Sequence, residues 1–147
     1  MTDADLIAAA RAAALKAYAP YSGYSVGCAI LSTDGELVTG ANMENACYRL
    51  GICAEQSALT TAQHAFGLRN VARIAVAGGN GAGDALTGAQ SVTPCGGCRQ
   101  ALLEASHLAG RDFEILCASG DGQKVERLSL STLIPHGFGP ASLADAG

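Results

Sequence analysis

Three cysteines and one glutamate, carried by two short segments, have the residue types and spacing of a metal centre. Cys53-Ala54-Glu55 places a thiol two residues before a carboxylate, and Pro94-Cys95-Gly96-Gly97-Cys98 supplies two more thiols. Zinc is bound by thiolates, and three of them leave the fourth tetrahedral position for water, which is the pattern of a catalytic rather than a structural site. Zinc lowers the pKa of such a water to about 7, so hydroxide becomes available at neutral pH. Glu55 is then read as a proton carrier and not as a ligand, taking a proton from the water and delivering it to a substrate. The expectation is one Zn2+ per chain, held by Cys53, Cys95 and Cys98.

Both segments stand at the starts of predicted helices. A helix N-terminus offers unpaired N–H groups and a partial positive charge, which favour thiolates. Ala54, Ala58, Leu59, Ala62 and Ala65 are spaced for a helix over Cys53 to Phe66, with Gly67 as its stop. A second helix is predicted over Cys98 to Leu108, ending near Gly110. Side chains two residues apart do not share a face of a regular helix. Cys53 must therefore sit at or before the cap, with Glu55 in the first turn, if both are to reach one water.

The remaining elements frame these two helices. Thr2 and Asp5 have capping spacing, and the apolar residues after them predict a helix to about Ala19, stopped by Pro20. Val26 to Leu31 and Glu36 to Ala41 flank Asp34-Gly35 and read as a hairpin. Arg73 to Ala77 reads as a buried strand. Gly78 to Val92, rich in Gly and Ala without periodicity, reads as a loop beside the site. Its glycines at 78, 79, 81 and 83 lack the Lys-Ser/Thr of a phosphate loop. Phe113 to Ala118 and Lys124 to Leu128 are predicted strands around the turn Asp121-Gly122, and Ser129 to Leu133 a last helical turn. This alternation predicts an α/β fold, a mixed β-sheet with helices packed on both faces, in a single domain over 1–147.

Composition narrows the function classes. The formal charge of -4 argues against a phosphate-binding surface, and hence against nucleic acid, because that affinity comes from clustered Lys and Arg. No run approaches the roughly 20 apolar residues of a membrane span, and the N-terminus has no signal-peptide pattern. A cytoplasmic protein with reduced or metal-bound thiols is expected. Cys28 and Cys117 fall in predicted strands and read as buried apolar side chains, with packing also favoured for Cys47. Surface or helix roles are expected for His64, His107 and His136.

Cys-Ala-Glu followed by Pro-Cys-x-x-Cys-Arg-Gln resembles the zinc-dependent cytidine deaminases of the small, homotetrameric type with three cysteine ligands. The resemblance runs from Tyr21-Ser22 through both metal segments to Gly137-Phe138-Gly139-Pro140. It implies a cytidine-deaminase-like α/β/α sandwich and the hydrolytic scheme common to zinc deaminases, cytidine or deoxycytidine giving the uridine product and ammonia in pyrimidine salvage. It also implies site residues. Asn42 and Glu44 would hold the sugar hydroxyls, and the Ala54 backbone with the carbonyl around Thr93 would hold the cytosine edge and departing ammonia. Tyr48 and Phe138 match aromatic positions that reach into a neighbouring subunit's pocket, so a homotetramer with shared sites is implied.

Two departures concern tuning. Tyr24-Ser25 stands where the family would have Phe-Pro, which adds a hydroxyl to the base pocket. Gln56 replaces an arginine that relatives aim at the ligand sulfurs; Arg99 could compensate. Deamination of a modified cytosine nucleoside or a cytosine-containing antibiotic is the nearest alternative. A structural zinc module, with Cys47 as fourth ligand, and a thioredoxin-like disulfide enzyme using Cys95 and Cys98 are alternatives from other classes.

Overall fold

The computed structural model describes residues 1–82 and 84–144. Six strands form one mixed sheet: β1 (Tyr24–Ser32), β2 (Leu37–Ala41), β3 (Val71–Ala82), β4 (Ala85–Thr87), β5 (Glu114–Ser119) and β6 (Val125–Ser129). Their order is β2-β1-β3-β5-β6, with β4 paired to the end of β3. Among these strand pairs β3 and β5 run parallel and the others antiparallel. Helix α1 (Asp3–Ala14) covers one face; α2 (Ala54–Ala65) and α3 (Gly96–Ala109) cover the other. Short helices α4 (Leu130–Leu133) and α5 (Pro140–Ala144) complete the described chain. The α/β architecture with helices on both faces is therefore as expected.

Alternation along β1 explains the layering, because successive strand residues point to opposite faces. Cys28 and Ile30 join the core under α2 and α3, whereas Ala29 and Leu31 pack under α1. Small residues set the helix distances. A Cβ at Gly27 would lie 2.0 Å from the Ala10 carbonyl oxygen of α1, and one at Gly40 would lie 2.4 Å from the Ala58 nitrogen of α2. Both contacts are to backbone, so neither can yield by side-chain rotation. Gly40→Ala is expected to cost about 3 kcal/mol of stability, the upper end for overpacking, because α2 must lift off β2. Urea denaturation checks it, and an unchanged midpoint would refute so tight an approach.

Three predicted boundaries need correction. Helix α1 stops at Ala14, not Ala19, although its Thr2 and Asp5 capping box is present. Tyr18 instead pairs with the segment after β2: its N–H donates to the Asn42 carbonyl, 3.0 Å, and its carbonyl accepts from Glu44 N–H, 2.8 Å. Extended pairing wins over helical periodicity there. Gly78 to Val92 is not a loop throughout, since β3 continues to Ala82 and turns into β4. Glycine at 79 is required by close approach, a Cβ there lying 1.8 Å from the Thr87 carbonyl oxygen. Gly83 lies outside the described residues. Finally, α3 begins at Gly96, which puts Cys98 within its first turn rather than at its start.

Candidate metal centre and substrate pocket

Cys53 and Cys95 are the N-caps of α2 and α3, each with extended backbone (φ -75°, ψ 155° and φ -66°, ψ 168°). Their carbonyls accept the first helical hydrogen bonds, from Ser57 N–H at 3.0 Å and Arg99 N–H at 2.9 Å. Glu55 is the second residue of α2. The turn-out of the chain at Cys53 lets thiol and carboxylate face one cavity, which a regular helix would not permit.

The sulfurs of Cys53, Cys95 and Cys98 all lie within 4.8 Å of one another. The Cys53–Cys95 distance is 3.9 Å and the Cys95–Cys98 distance 3.4 Å. Zn–S bonds of about 2.3 Å at tetrahedral angles require sulfurs about 3.8 Å apart. The donor set fits zinc. Cys47 is exposed and outside this group, so among the described residues no fourth thiol closes the site.

Burial shapes the ionisation of the group. It pushes the Cys53 and Cys98 thiols up, with Glu55 adding to the effect at both. At Cys95 burial also acts upward but is outweighed by the Cys98 backbone N–H and the two neighbouring thiols, and the pKa falls. Glu55 is 4% exposed, and desolvation raises its carboxyl above the usual range. A raised pKa makes the carboxylate a stronger proton acceptor than an exposed one, which suits it to accept a proton and then return it.

A cavity of about 240 Å³ opens on this cluster and brings Tyr24, Asn42, Ala54 and Thr93 to Cys53, Glu55 and Cys95. Val26 and Val92 supply its apolar wall. Neither valine was singled out in the sequence, although strand alternation from Tyr24 would have placed Val26. The Asn42 side chain spans β1, accepting from Val26 N–H at 2.8 Å and donating to the Tyr24 carbonyl at 2.9 Å. Gln56 directs its amide Nε2 at Cys98 Sγ, 3.8 Å away. Arg99 is committed elsewhere: its guanidinium donates to the Pro94 carbonyl at 2.8 Å and the Leu133 carbonyl at 2.9 Å.

Glu44 and Tyr48 do not line that cavity but a second one of about 320 Å³, with no lining residue in common. The Glu44 carboxylate accepts from Tyr21 N–H at 2.9 Å, Ser22 N–H at 3.1 Å and Ser22 Oγ–H at 2.5 Å. The Ser22 hydrogen bonds hold its pKa below the usual value, so it stays an acceptor. Tyr48 is 78% exposed, its ring tilted at 60° to that of Tyr21 with 5.7 Å between centroids. Phe138 is 60% exposed and lines neither cavity. The larger cavity of about 640 Å³ near the end of α3 contains no thiol and is remote from this chemistry.

Three thiols at paired helix N-termini, with a buried glutamate facing the adjacent cavity, have the make-up of a hydrolytic zinc centre. The family described as the cytidine and deoxycytidylate deaminase zinc-binding region matches residues 1–109. The cytidine deaminase of Halalkalibacterium halodurans is 36% identical over 129 residues, 88% of each chain. Among solved structures, cytidine deaminase from Burkholderia pseudomallei is similar with a TM-score of 0.81 and 39% identity, covering 94% of this chain and 100% of that one. The Mycobacterium tuberculosis cytidine deaminase gives 0.69 and 35%, covering 95% and 99%. The chain belongs to the cytidine deaminase family.

Proposed function

We infer that this protein hydrolyses cytidine and deoxycytidine to uridine and deoxyuridine with release of ammonia, using one Zn2+ per chain. The observation that carries the reading is the cluster of three sulfurs beside a cavity that Cys53, Cys95 and Glu55 line together. Zinc, when held by Cys53, Cys95 and Cys98, supplies a water of lowered pKa as nucleophile. Glu55 accepts a proton from the attacking water and passes it to the base. Once the C4–O bond has formed, Glu55 carries a second proton from the new C4 hydroxyl to the amino group, the C4–N bond breaks, and ammonia leaves with the C4 oxygen remaining as the carbonyl of the uridine product. The Ala54 N–H and the wall at Thr93 orient the cytosine edge. Asn42 and Glu44 address the sugar, Asn42 with what its two strand hydrogen bonds leave free. Unpaired polar groups in such a site reject substrates that lack the matching hydroxyls.

Tyr24, which lines the cavity where the family has Phe, supports a second reading, deamination of a modified cytosine nucleoside. Loss of absorbance as cytidine becomes uridine tests the main reading, with cytosine, deoxycytidine and base-modified nucleosides compared in parallel. Zinc-loaded protein that releases no ammonia from either plain nucleoside would sink it.

The functional unit is taken as one domain over 1–147, acting in pyrimidine salvage as a cytoplasmic homotetramer. The family resemblance, which assigns Tyr48 and Phe138 to a neighbour's pocket, and the exposure of both side chains support the tetramer. No described helix is long and apolar enough to cross a membrane. Sedimentation at the mass of one chain, with full activity, would count against shared sites.

Gln56 bears on the pH dependence. Three thiolates carry excess negative charge, and Gln56 offers a hydrogen bond to Cys98 without a compensating cation. Gln56→Arg is expected to move the acid limb of turnover to lower pH, since a nearby cation favours deprotonated forms. An unaltered pH profile would remove Gln56 from this role.

A further inference from the structure

The pocket wall at Val92 and Thr93 is a short irregular segment between β4 and α3, yet it must hold its position against the substrate. Its two ends are fixed differently. At the α3 end, Arg99 donates to the Pro94 carbonyl, and Pro94 is fully buried. At the other end, the Ser91 hydroxyl donates to the Glu126 carboxylate of β6. Glu126 stands directly opposite Cys117 across β5 and β6, so its side chain emerges on the sheet face that carries α2, α3 and the metal cluster. Between these ends, Val92 N–H donates to the Ala118 carbonyl at 3.3 Å, and Ser91 bridges to Ser119 of β5.

We propose that Ser91 and Glu126 form a clamp that positions the Val92–Thr93 wall of the substrate pocket, making Glu126 a positioning residue for the deaminase reaction although it lines no part of that pocket. A half-buried carboxylate at this place has a cost that packing alone would not require. It stands beside the buried Cys117 thiol, whose pKa is pushed up to about 12 chiefly by burial and next by Glu126 itself. The carboxylate is useful there as a strong acceptor, because hydrogen bonds to an ionised group are shorter and stronger than neutral ones. Ser91 is the only residue of the wall segment whose side chain reaches β6 by a hydrogen bond among the described residues.

The inference rests on the deaminase reading for its consequence and on geometry for the clamp, so two readouts separate them. In zinc-loaded protein, Ser91→Ala and Glu126→Ala are each expected to raise the KM for cytidine about tenfold with kcat changed little, the signature of lost binding common to ground and transition states. Their double variant should be no worse than either alone, because both remove one interaction. Glu126→Gln, which keeps a carbonyl acceptor, should recover most of the loss. Independently of turnover, amide hydrogen exchange at Val92 should quicken in Ser91→Ala while the amides of β1 keep their wild-type rates. Unchanged KM in active protein, additive single effects, or a loss that follows zinc content would overturn the positioning role. Unchanged Val92 exchange would overturn the clamp even if the protein proved not to deaminate cytidine.

Discussion

Replacing Glu55 with glutamine is expected to lower kcat about a thousandfold, within the usual range for loss of a general acid–base group, while one zinc per chain remains bound. The substitution keeps the shape of the side chain and leaves all three sulfurs in place, so it removes proton transfer without emptying the site. Burial raises the Glu55 pKa, and activity carried by its ionised form must fall as pH drops through that raised value. The acid limb attributable to Glu55 should therefore begin at higher pH than for an exposed carboxylate, and it should vanish in the variant.

Stability supplies a second sign. A folded-state pKa above the unfolded one means that the folded protein binds the proton more tightly. The contribution to stability is fully present below the unfolded pKa and lost as pH rises through the folded one. At neutral pH the metal-free Glu55→Gln protein should thus be at least as stable as wild type. Undiminished turnover in this variant would refute the assigned chemistry, whereas loss of both zinc and stability would show that Glu55 supports the site structurally.

Cys98→Ala is expected to reduce bound zinc from one per chain to nearly none and to remove detectable turnover with it. Cys98 is fully buried, and its sulfur stands within ligand distance of both partner thiols, so no exposed group can substitute without moving α3. Zinc must displace protons from the Cys53 and Cys98 thiols, both of which burial holds above the ordinary value. Affinity should then fall as pH falls, with proton release on binding measurable by calorimetry in two buffers. Cys47→Ala is the matching control: Cys47 lies outside the cluster, and its loss should leave zinc content unchanged. A Cys98→Ala protein that retained stoichiometric zinc, or a Cys47→Ala protein that lost it, would point back to a closed structural site.

Much of the site was legible in the chain because its chemistry is local. The two metal segments lie at helix starts, which the apolar spacing after Cys53 and the flanking Pro94 mark within a few residues. The constraint that Cys53 must act as a cap followed from helical geometry alone, and α2 does begin at Ala54. Cys28 and Cys117 were likewise readable as packing thiols, since strand alternation assigns them to the buried face. What was not legible depended on partners distant in sequence. Helix α1 ends early because Tyr18 finds Asn42 and Glu44, and β3 extends to Ala82 because β4 returns alongside it.

By itself, then, the sequence pointed to the three-cysteine cluster, to Glu55 beside it and to the order of helices and strands, because each is written in side-chain chemistry and short-range periodicity. Only the tertiary structure decided which polar residues are free to act. It turned Arg99 towards backbone carbonyls, spent the Asn42 amide on β1, aimed Gln56 at Cys98 and joined Ser91 to Glu126. The physical reason is that a hydrogen-bonding group takes the partner that folding brings nearest, and that partner sits many residues away along the chain.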